Sequence, residues 1–326
     1  MARIAKRIVK GKPYYYLEES FLQAGKTVTE SEYLGSAIPD SETLRKIFSE
    51  FKSKLERKGI RHIIPPFTEF VTRNLSSKLA RAVESKAKYL KSLSPQKRAE
   101  FIHRERITFI TESNAIEGST LDYGLTDRVV SDQKRIERLQ KQGYTITGMD
   151  REEQEALNLN KCLEHYEILL AKNAELSEEL ILRLHLTLLS KIKGYEKYAG
   201  VWRPVNVMIR GSNHVFPEHA QVPSLMKELL EWYRSNDGLI QQVELAAKIH
   251  TKFTTVHPFA DGNGRMARLL MNYVLQAHGF PFTNIPLSRR AKYMKTQAAG
   301  NENDQKPFTL FLAEEIIRQN QNLRKK

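Results

Sequence analysis

The chain has 326 residues, of which 40% are hydrophobic and 28% charged, with a formal net charge of +14 and one cysteine, Cys162. This is the composition of a folded globular protein; it excludes a disulfide scaffold, and no apolar run approaches the ~20 residues needed to cross a bilayer. The length exceeds one average domain, so one large helical domain with a smaller appendage is expected.

The start, MARIAKRIVK, is basic but lacks the apolar run of a signal peptide, which makes the cytoplasm the expected compartment, with no membrane partner. Cys162 has no Cys or His neighbour at metal-ligand spacing and reads as a small buried hydrophobe. Lys and Arg outnumber Asp and Glu by 23 to 12 over residues 1–110, so +11 of the net charge lies there. A basic segment of this kind either binds nucleic acid through phosphate contacts or simply keeps a surface solvated.

Residues 8–34 alternate short β-prone runs around Gly11-Lys12 and Ala24-Gly25-Lys26, which read as hairpin turns and predict a small basic β meander over 1–40. Its tyrosines among lysines suit a binding platform, or a capping sheet packed on the helical body. At Ser41 the period becomes helical, with Leu44, Ile47, Phe48, Phe51 and Leu55 on one face behind the cap signal Pro39-Asp40-Ser41. Pro65-Pro66 interrupts the chain, and a basic amphipathic helix over 68–92 runs to Ser94-Pro95. Residues 41–95 thus read as a helical connector and 96–326 as the main domain.

From Pro95 onward, helix follows helix. Apolar spacing recurs at Leu157, Leu163, Ile168 and Leu169, and again at Leu180, Leu184 and Leu188, which makes the fold mainly α. The exception is Val205 to Phe216, which alternates around Gly211-Ser212-Asn213 like a hairpin.

The informative stretch is HPFADGNGRMAR, residues 257–268. His257 stands before Pro258, so the helix over 243–256 should end there, and Met266 to Leu275 starts another. Gly262-Asn263-Gly264 then falls in the turn that opens the second helix. Glycines let main-chain amides converge, and a helix N-terminus adds free N–H groups, which together make an anion site. Arg265 and Arg268 suit phosphate oxygens, Asp261 suits Mg²⁺ already bridging phosphates, and His257, with an ordinary pKa of ~6.5, suits a general base. Singly each has a duller origin: a helix-end cap, a solvated ion pair, a turn.

HPFADGNGRMAR resembles the active-site motif HxFx[D/E]GNGRxxR of the Fic (filamentation induced by cAMP) family, matching every defined position. The resemblance spans roughly 100–315 and includes Pro307 to Leu312, which looks like the closing helix. It implies a Fic-type helical bundle with a β-hairpin flap. It also implies a protein adenylyltransferase that moves AMP from ATP to a Ser, Thr or Tyr hydroxyl of another protein or of itself. In that reading His257 deprotonates the hydroxyl and Asp261 holds Mg²⁺. The amides of Gly262 and Gly264, with Asn263, bind phosphates, Arg265 and Arg268 grip the β- and γ-phosphates, and Phe259 anchors the loop.

Ser113-Asn114-Ala115-Ile116-Glu117-Gly118 is similar to the family's inhibitory motif, [S/T]xxxE[G/N], on a helix near 106–118. Ser113 and Glu117 are four apart, and Glu117 could pair with Arg268 where a γ-phosphate would sit. Residues 205–217, after Gly200-Val201-Trp202-Arg203, resemble the flap. Val207, Met208 and Ile209 would register an extended target segment by strand pairing. A homodimer is a further partner consistent with the resemblance. Two alternatives stand beside transfer: removal of AMP from a modified protein with Glu117 orienting water, and a nucleic-acid-binding regulator using the basic first 110 residues.

Overall fold

The computed structural model describes residues 2–23, 26–60, 63–142, 150–208, 214–321 and 323. Three antiparallel strands, β1 (Arg3–Val9), β2 (Lys12–Gln23) and β3 (Lys26–Gly35), form a meander in the order β1-β2-β3. All three strands lie within the meander expected over 1–40. The first turn is Lys10-Gly11 rather than Gly11-Lys12: both have positive φ, +49° and +77°, as a two-residue hairpin turn with native twist requires. The turn expected at Ala24-Gly25 lies outside the described residues.

Alternation sorts the sheet into two faces. Leu17 and Leu34 are buried on one face, against α1 (Ser41–Arg57), which contributes Leu44, Phe48, Phe51 and Leu55 to the same small core. Asp40 starts α1 as anticipated, its carboxylate accepting the main-chain N–H groups of Glu42 and Thr43.

The remaining helices are α2 (Arg73–Ser92), α3 (Pro95–Ile116), α4 (Tyr123–Ser131), α5 (Gln133–Lys141), α6 (Arg151–Ala171) and α7 (Glu178–Leu188). They are followed by α8 (Val222–Asn236), α9 (Gln242–Val256), α10 (Asn263–Ala277), α11 (Arg290–Asn301) and α12 (Lys306–Asn320). The main core runs from Val71 to Ile316 and includes Leu79 of α2, so the boundary expected near 95 falls between two helices that share one core. At its centre lie α9 and α10. Val243, Leu245, Ala246, Ile249 and Phe253 of α9, and Met266, Leu269, Met271, Tyr273 and Val274 of α10, are each at most 1% exposed. A helix buried on all sides belongs in the middle of a bundle, and this pair therefore fixes the loop 257–262 between them.

Two details differ from the sequence expectation. Ile168 of α6 is 53% exposed, because the apolar stripe of that helix drifts off the core in its last turn. Of the hairpin expected over 205–217, residues 209–213 lie outside the described residues, and the flanks 205–208 and 214–217 form no strand ladder. Cys162 is fully buried as expected, with its thiol against the Leu184 carbonyl at 3.2 Å and burial pushing the thiol up.

Glu244, fully buried near the start of α9, joins the two cores. Its carboxylate accepts the main-chain N–H groups of Glu69, Phe70 and Val71 at 2.8–3.3 Å and pairs with Lys248 at 3.0 Å. Glu244→Ala would strand those donors and leave the Lys248 ammonium with Glu69 as its remaining carboxylate partner, at 2.7 Å. A loss of about 3–5 kcal/mol is expected, read from the denaturant midpoint. A loss under about 1 kcal/mol, the worth of an ordinary hydrogen bond, would show that the loop 65–71 is held by other means.

Candidate active site

α9 ends at His257 because the residue before a proline disfavours the helical region. His257 takes the left-handed conformation, φ +51° and ψ +58°, while its N–H still bonds Phe253 O at 3.0 Å. A non-glycine residue held there needs surrounding contacts to hold it. Arg203 supplies them. This fully buried guanidinium donates from Nε to His257 O at 2.8 Å and from Nη1 to Val205 O at 3.0 Å, and its Nη2 bonds Pro217 O. Its main-chain N–H reaches Pro258 O at 2.9 Å. One side chain thus ties the turn at His257 to both ends of the segment 205–217.

The loop is pinned twice more. Phe259 is fully buried and stacks on His185 of α7, ring centroids 3.5 Å apart and 10° from parallel. His185 accepts the Gly200 N–H on Nδ1 at 3.1 Å, so Nε2 carries the proton and donates to Asp261 O at 3.0 Å. Burial holds its pKa down to about 4 and keeps that tautomer neutral. Asn263 bonds Phe259 on both sides, accepting its N–H at 3.0 Å and donating to its carbonyl at 2.8 Å. Both polar atoms of the Asn263 side chain thus hold the loop, which leaves its main-chain N–H, at the start of α10, as the group placed for the phosphate contact expected of this residue.

Gly262 caps α10 at φ +80°, ψ 5°, a region where its missing side chain costs nothing. The N–H groups of Asn263, Gly264 and Arg265 fall in the first turn, where a helix has no internal acceptors for them, whereas the N–H of Gly262, expected to share in the nest, is taken by Asp261 Oδ1. At Gly264 the absence of a side chain matters for a second reason. A Cβ built there would lie 2.3 Å from Oε1 of Glu117, so the carboxylate already rests against the glycine main chain.

Glu117 is the C-cap residue of α3, with Gly118 beyond it at φ +107°. Its Oε1 accepts from Nη2 of Arg268 at 2.7 Å. Arg268, 1% exposed, also donates from Nε to Ser113 Oγ at 2.9 Å, from Nη2 to Ser113 O at 2.8 Å and from Nη1 to Tyr293 OH at 3.4 Å. Burial pushes the Glu117 carboxyl up, but Arg268, backed by Arg265 and Arg290, outweighs it and holds the group below its ordinary value. Ser113 and Glu117, four apart and therefore on one face of α3, both bond Arg268.

Arg265 turns elsewhere. Its Nη1 lies 3.2 Å from Glu155 of α6 and its Nη2 3.7 Å from Asp261, but the first contact is misaligned for hydrogen bonding. Nε and Nη1 are buried without a hydrogen-bond acceptor among the described residues. An always-charged group so placed has donors to spare for an anion. Asp261 Oδ1 accepts the Gly262 N–H at 2.7 Å, while Oδ2 faces Arg265 at 3.7 Å and Arg151 at 3.5 Å. One hard carboxylate at the mouth of an amide nest fits Mg²⁺ that takes its other ligands from phosphates and water; a cluster of three or more protein ligands does not occur among the described residues.

The His257 ring lies 4.4 Å from Phe216 by ring centroids, and its Nδ1 is 3.4 Å from Thr254 O. With the proton on Nδ1, Nε2 is left as the basic nitrogen. Burial lowers its pKa to about 4; Arg203 and His214 act the same way, against the raising influence of the Thr254 carbonyl and Glu117. Met208 is 94% exposed and Val207 half-buried, whereas Ile209 lies outside the described residues. Sequence reading missed His185, Arg151, Glu155 and Tyr293, and gave Arg203 no role beyond the lead-in to 205–217. His185 sits on the apolar face of α7 with Leu184 and Leu188, where a histidine carries no distinguishing signal.

Residues 175–275 match the family described as Fic/DOC. The protein adenylyltransferase Fic of Nematostella vectensis is 33% identical over 221 residues, covering 67% of this chain and 48% of that protein. Protein adenylyltransferase fic-1 of Caenorhabditis elegans is 32% identical over 209 residues, covering 63% and 38%. The chain thus spans about half or less of these curated relatives. Among solved structures, Fic-1 from C. elegans superposes with a TM-score of 0.62 at 26% identity, covering 76% of this chain and 71% of that one. A Fic domain containing signaling protein from Bacteroides thetaiotaomicron gives 0.60 at 26% identity, covering 75% and 94%. On sequence and fold together, this chain carries a domain of the Fic/DOC family at residues 175–275.

Proposed function

We propose that the protein transfers AMP from ATP to a protein hydroxyl and that Glu117 holds it in check. The observation that carries this reading is a carboxylate seated over Gly264 and bonded to Arg268 at 2.7 Å, an internal anion at the mouth of an anion nest. The relatives named protein adenylyltransferase support the reaction class.

In this reading the amides at 263–265 and the spare donors of Arg265 receive the polyphosphate, and Arg268 grips its far end once Glu117 withdraws. His257 Nε2 takes the proton of the target hydroxyl. The freed oxygen attacks the α-phosphorus, and the bond to the β-phosphate breaks to release pyrophosphate. Asp261 would hold Mg²⁺, which neutralises phosphate charge when bound. The segment around Val207, Met208 and Ile209 would hold the target chain beside His257.

The test is incubation with Mg²⁺ and ATP labelled at the α-phosphate, followed by detection of labelled protein. Glu117→Gly should raise labelling at least about tenfold over wild type, equivalent to about 1.4 kcal/mol of competition removed. Adding His257→Ala should lower it by about 10²–10⁴. An unlabelled Glu117→Gly protein would sink the forward reaction, and AMP released from modified protein by wild type alone would favour the reverse one.

The pH dependence follows from the base. A pKa lowered to about 4 leaves the imidazole neutral and competent at any pH above that value, and it is lost as pH falls through about 4. In Glu117→Gly the raising influence of Glu117 is gone as well. The rate should therefore hold from pH 7 down to about pH 5, whereas a solvent-like imidazole would lose it from ~6.5. A fall centred near 6.5 in the pH–kcat/KM profile would contradict the burial argument.

The turn bearing Glu117 is fastened from behind. Glu152 Oε2, in the first turn of α6, accepts from Ser119 Oγ at 3.0 Å, Thr120 N at 2.8 Å, Thr120 Oγ1 at 3.0 Å and Leu121 N at 3.2 Å. Glu152→Ala gives up four bonds worth about 1 kcal/mol each net. It should raise labelling several-fold in an otherwise wild-type chain while leaving Glu117→Gly unaffected. Equal labelling with and without Glu152 would show that α3 alone positions Glu117.

A further inference from the structure

The sheet face turned away from α1 has no part in the site around His257, and its chemistry is distinct. We propose that this face binds single-stranded nucleic acid, stacking unpaired bases on Tyr14 and Tyr33 while the cations of β1 and its turn contact phosphates.

The register carries the argument. Tyr16 pairs with Ala5 and Tyr33, Tyr14 with Arg7, and Glu18 with Arg3 and Ser31, so Arg3, Arg7, Tyr14, Tyr16 and Tyr33 share one face. The tyrosines form a contiguous row, with Tyr33 centroids 6.3 Å from Tyr14 and 5.4 Å from Tyr16. Tyr33 is 53% exposed, on the side of its strand turned away from the small core of α1. Arg7 already lies over the Tyr16 ring at 4.4 Å, the cation-on-ring arrangement that recurs where bases stack.

Charge is sorted by the same parity. Residues 2–12 hold five cations and no acidic residue: Arg3, Arg7 and Lys12 have the outer parity, Lys10 stands in the turn, and Lys6, opposite Tyr15, falls on the α1 side. The acidic residues Glu19, Glu30 and Glu32 fall on the opposite parity and are paired with Arg73, Lys58 and Lys54 on the α1 side. Glu18 alone stays on the outer face, and it is outnumbered there, bridging Arg3 and Arg7. Had the sheet evolved only to cap the helical body, nothing would require its aromatic rings and an excess of cations over Glu18 to gather on the solvent side. A polyanion with exposed π-faces complements both features, whereas an acidic peptide would use the cations and leave the tyrosine row without a role.

The experiment is fluorescence anisotropy of the full chain with a labelled oligothymidylate of about 12 nucleotides, within the usual site size of such platforms, beside a duplex of equal length and a proline-rich peptide. Oligothymidylate should bind, and the log–log salt slope should be about −2 to −3.5, as expected for three to five phosphate contacts on a single strand. Tyr14→Ala/Tyr33→Ala should weaken binding by about tenfold per ring removed, with an unchanged thermal midpoint, because both rings lie on the outer face. Tyr→Phe at the same positions should retain affinity, and His257→Ala should change nothing. Absence of binding at low salt, undiminished binding by the double alanine variant, or preference for duplex or peptide would each overturn the proposal.

Discussion

Everything in the candidate site follows from a positive charge buried where water cannot reach it. Arg268 is 1% exposed, in the first turns of a helix whose own N-terminus is electropositive. A guanidinium does not discharge, so the surrounding chain has to provide acceptors. α3 provides them from three groups, the Ser113 hydroxyl, the Ser113 carbonyl and the Glu117 carboxylate. Two of these acceptors are uncharged and permanent. The third is an anion on a side chain about two-fifths exposed at the last turn of its helix, and it alone can leave without breaking the core. In the proposed function, the asymmetry between fixed neutral acceptors and one removable anion would let a single arginine serve both a resting and a substrate-bound state.

The second constraint is the rigidity of the loop that carries His257. Three independent devices hold six residues: Arg203 on the carbonyls of 257 and 258, the Phe259–His185 stack, and the Asn263 clasp on Phe259. Each uses polar groups that are themselves buried, where a hydrogen bond is costly to leave unmade and therefore specifies geometry well. A base on so fixed a loop loses little entropy at the moment of proton transfer, which is the usual advantage of a site supported by packed elements. The cost is an imidazole desolvated enough to be a weak base, so in the proposed transfer its value would rest on position more than on proton affinity.

How much of this was legible in the sequence depends on the range of each interaction. The helix starts at Asp40 and Ser94, the break at Pro258, and the nest at Gly262–Gly264 are local, set by φ preference and by capping side chains within three residues, and the sequence displays them directly. The Ser113–Glu117–Arg268 convergence crosses about 150 positions; only a known motif order suggested it, since nothing local distinguishes Glu117 from a solvated helix-end glutamate. His185, Tyr293 and Glu155 had no sequence signal, because a polar residue on an apolar helix face looks the same whether it fills a core or orients a loop. The clasp of the Asn263 side chain on Phe259 N and O had no sequence signal either, since an asparagine between two glycines reads first as part of the turn.

The N-terminal module illustrates how one periodicity can serve two ends. A strand shows its residues alternately to either side, so a sequence of β2 such as Tyr-Tyr-Tyr-Leu-Glu-Glu-Ser-Phe writes two surfaces at once. Tyr15, Leu17 and Phe21 pack toward α1 and give the sheet its stability, while Tyr14, Tyr16 and Glu18 write the outer surface without altering the core. The small core reaches Leu239, and the adjoining loop 65–71 is locked by Glu244 to α9, the helix that ends at His257. The sheet that carries the outer face is thus joined to the helical bundle through Leu239 and through the loop 65–71.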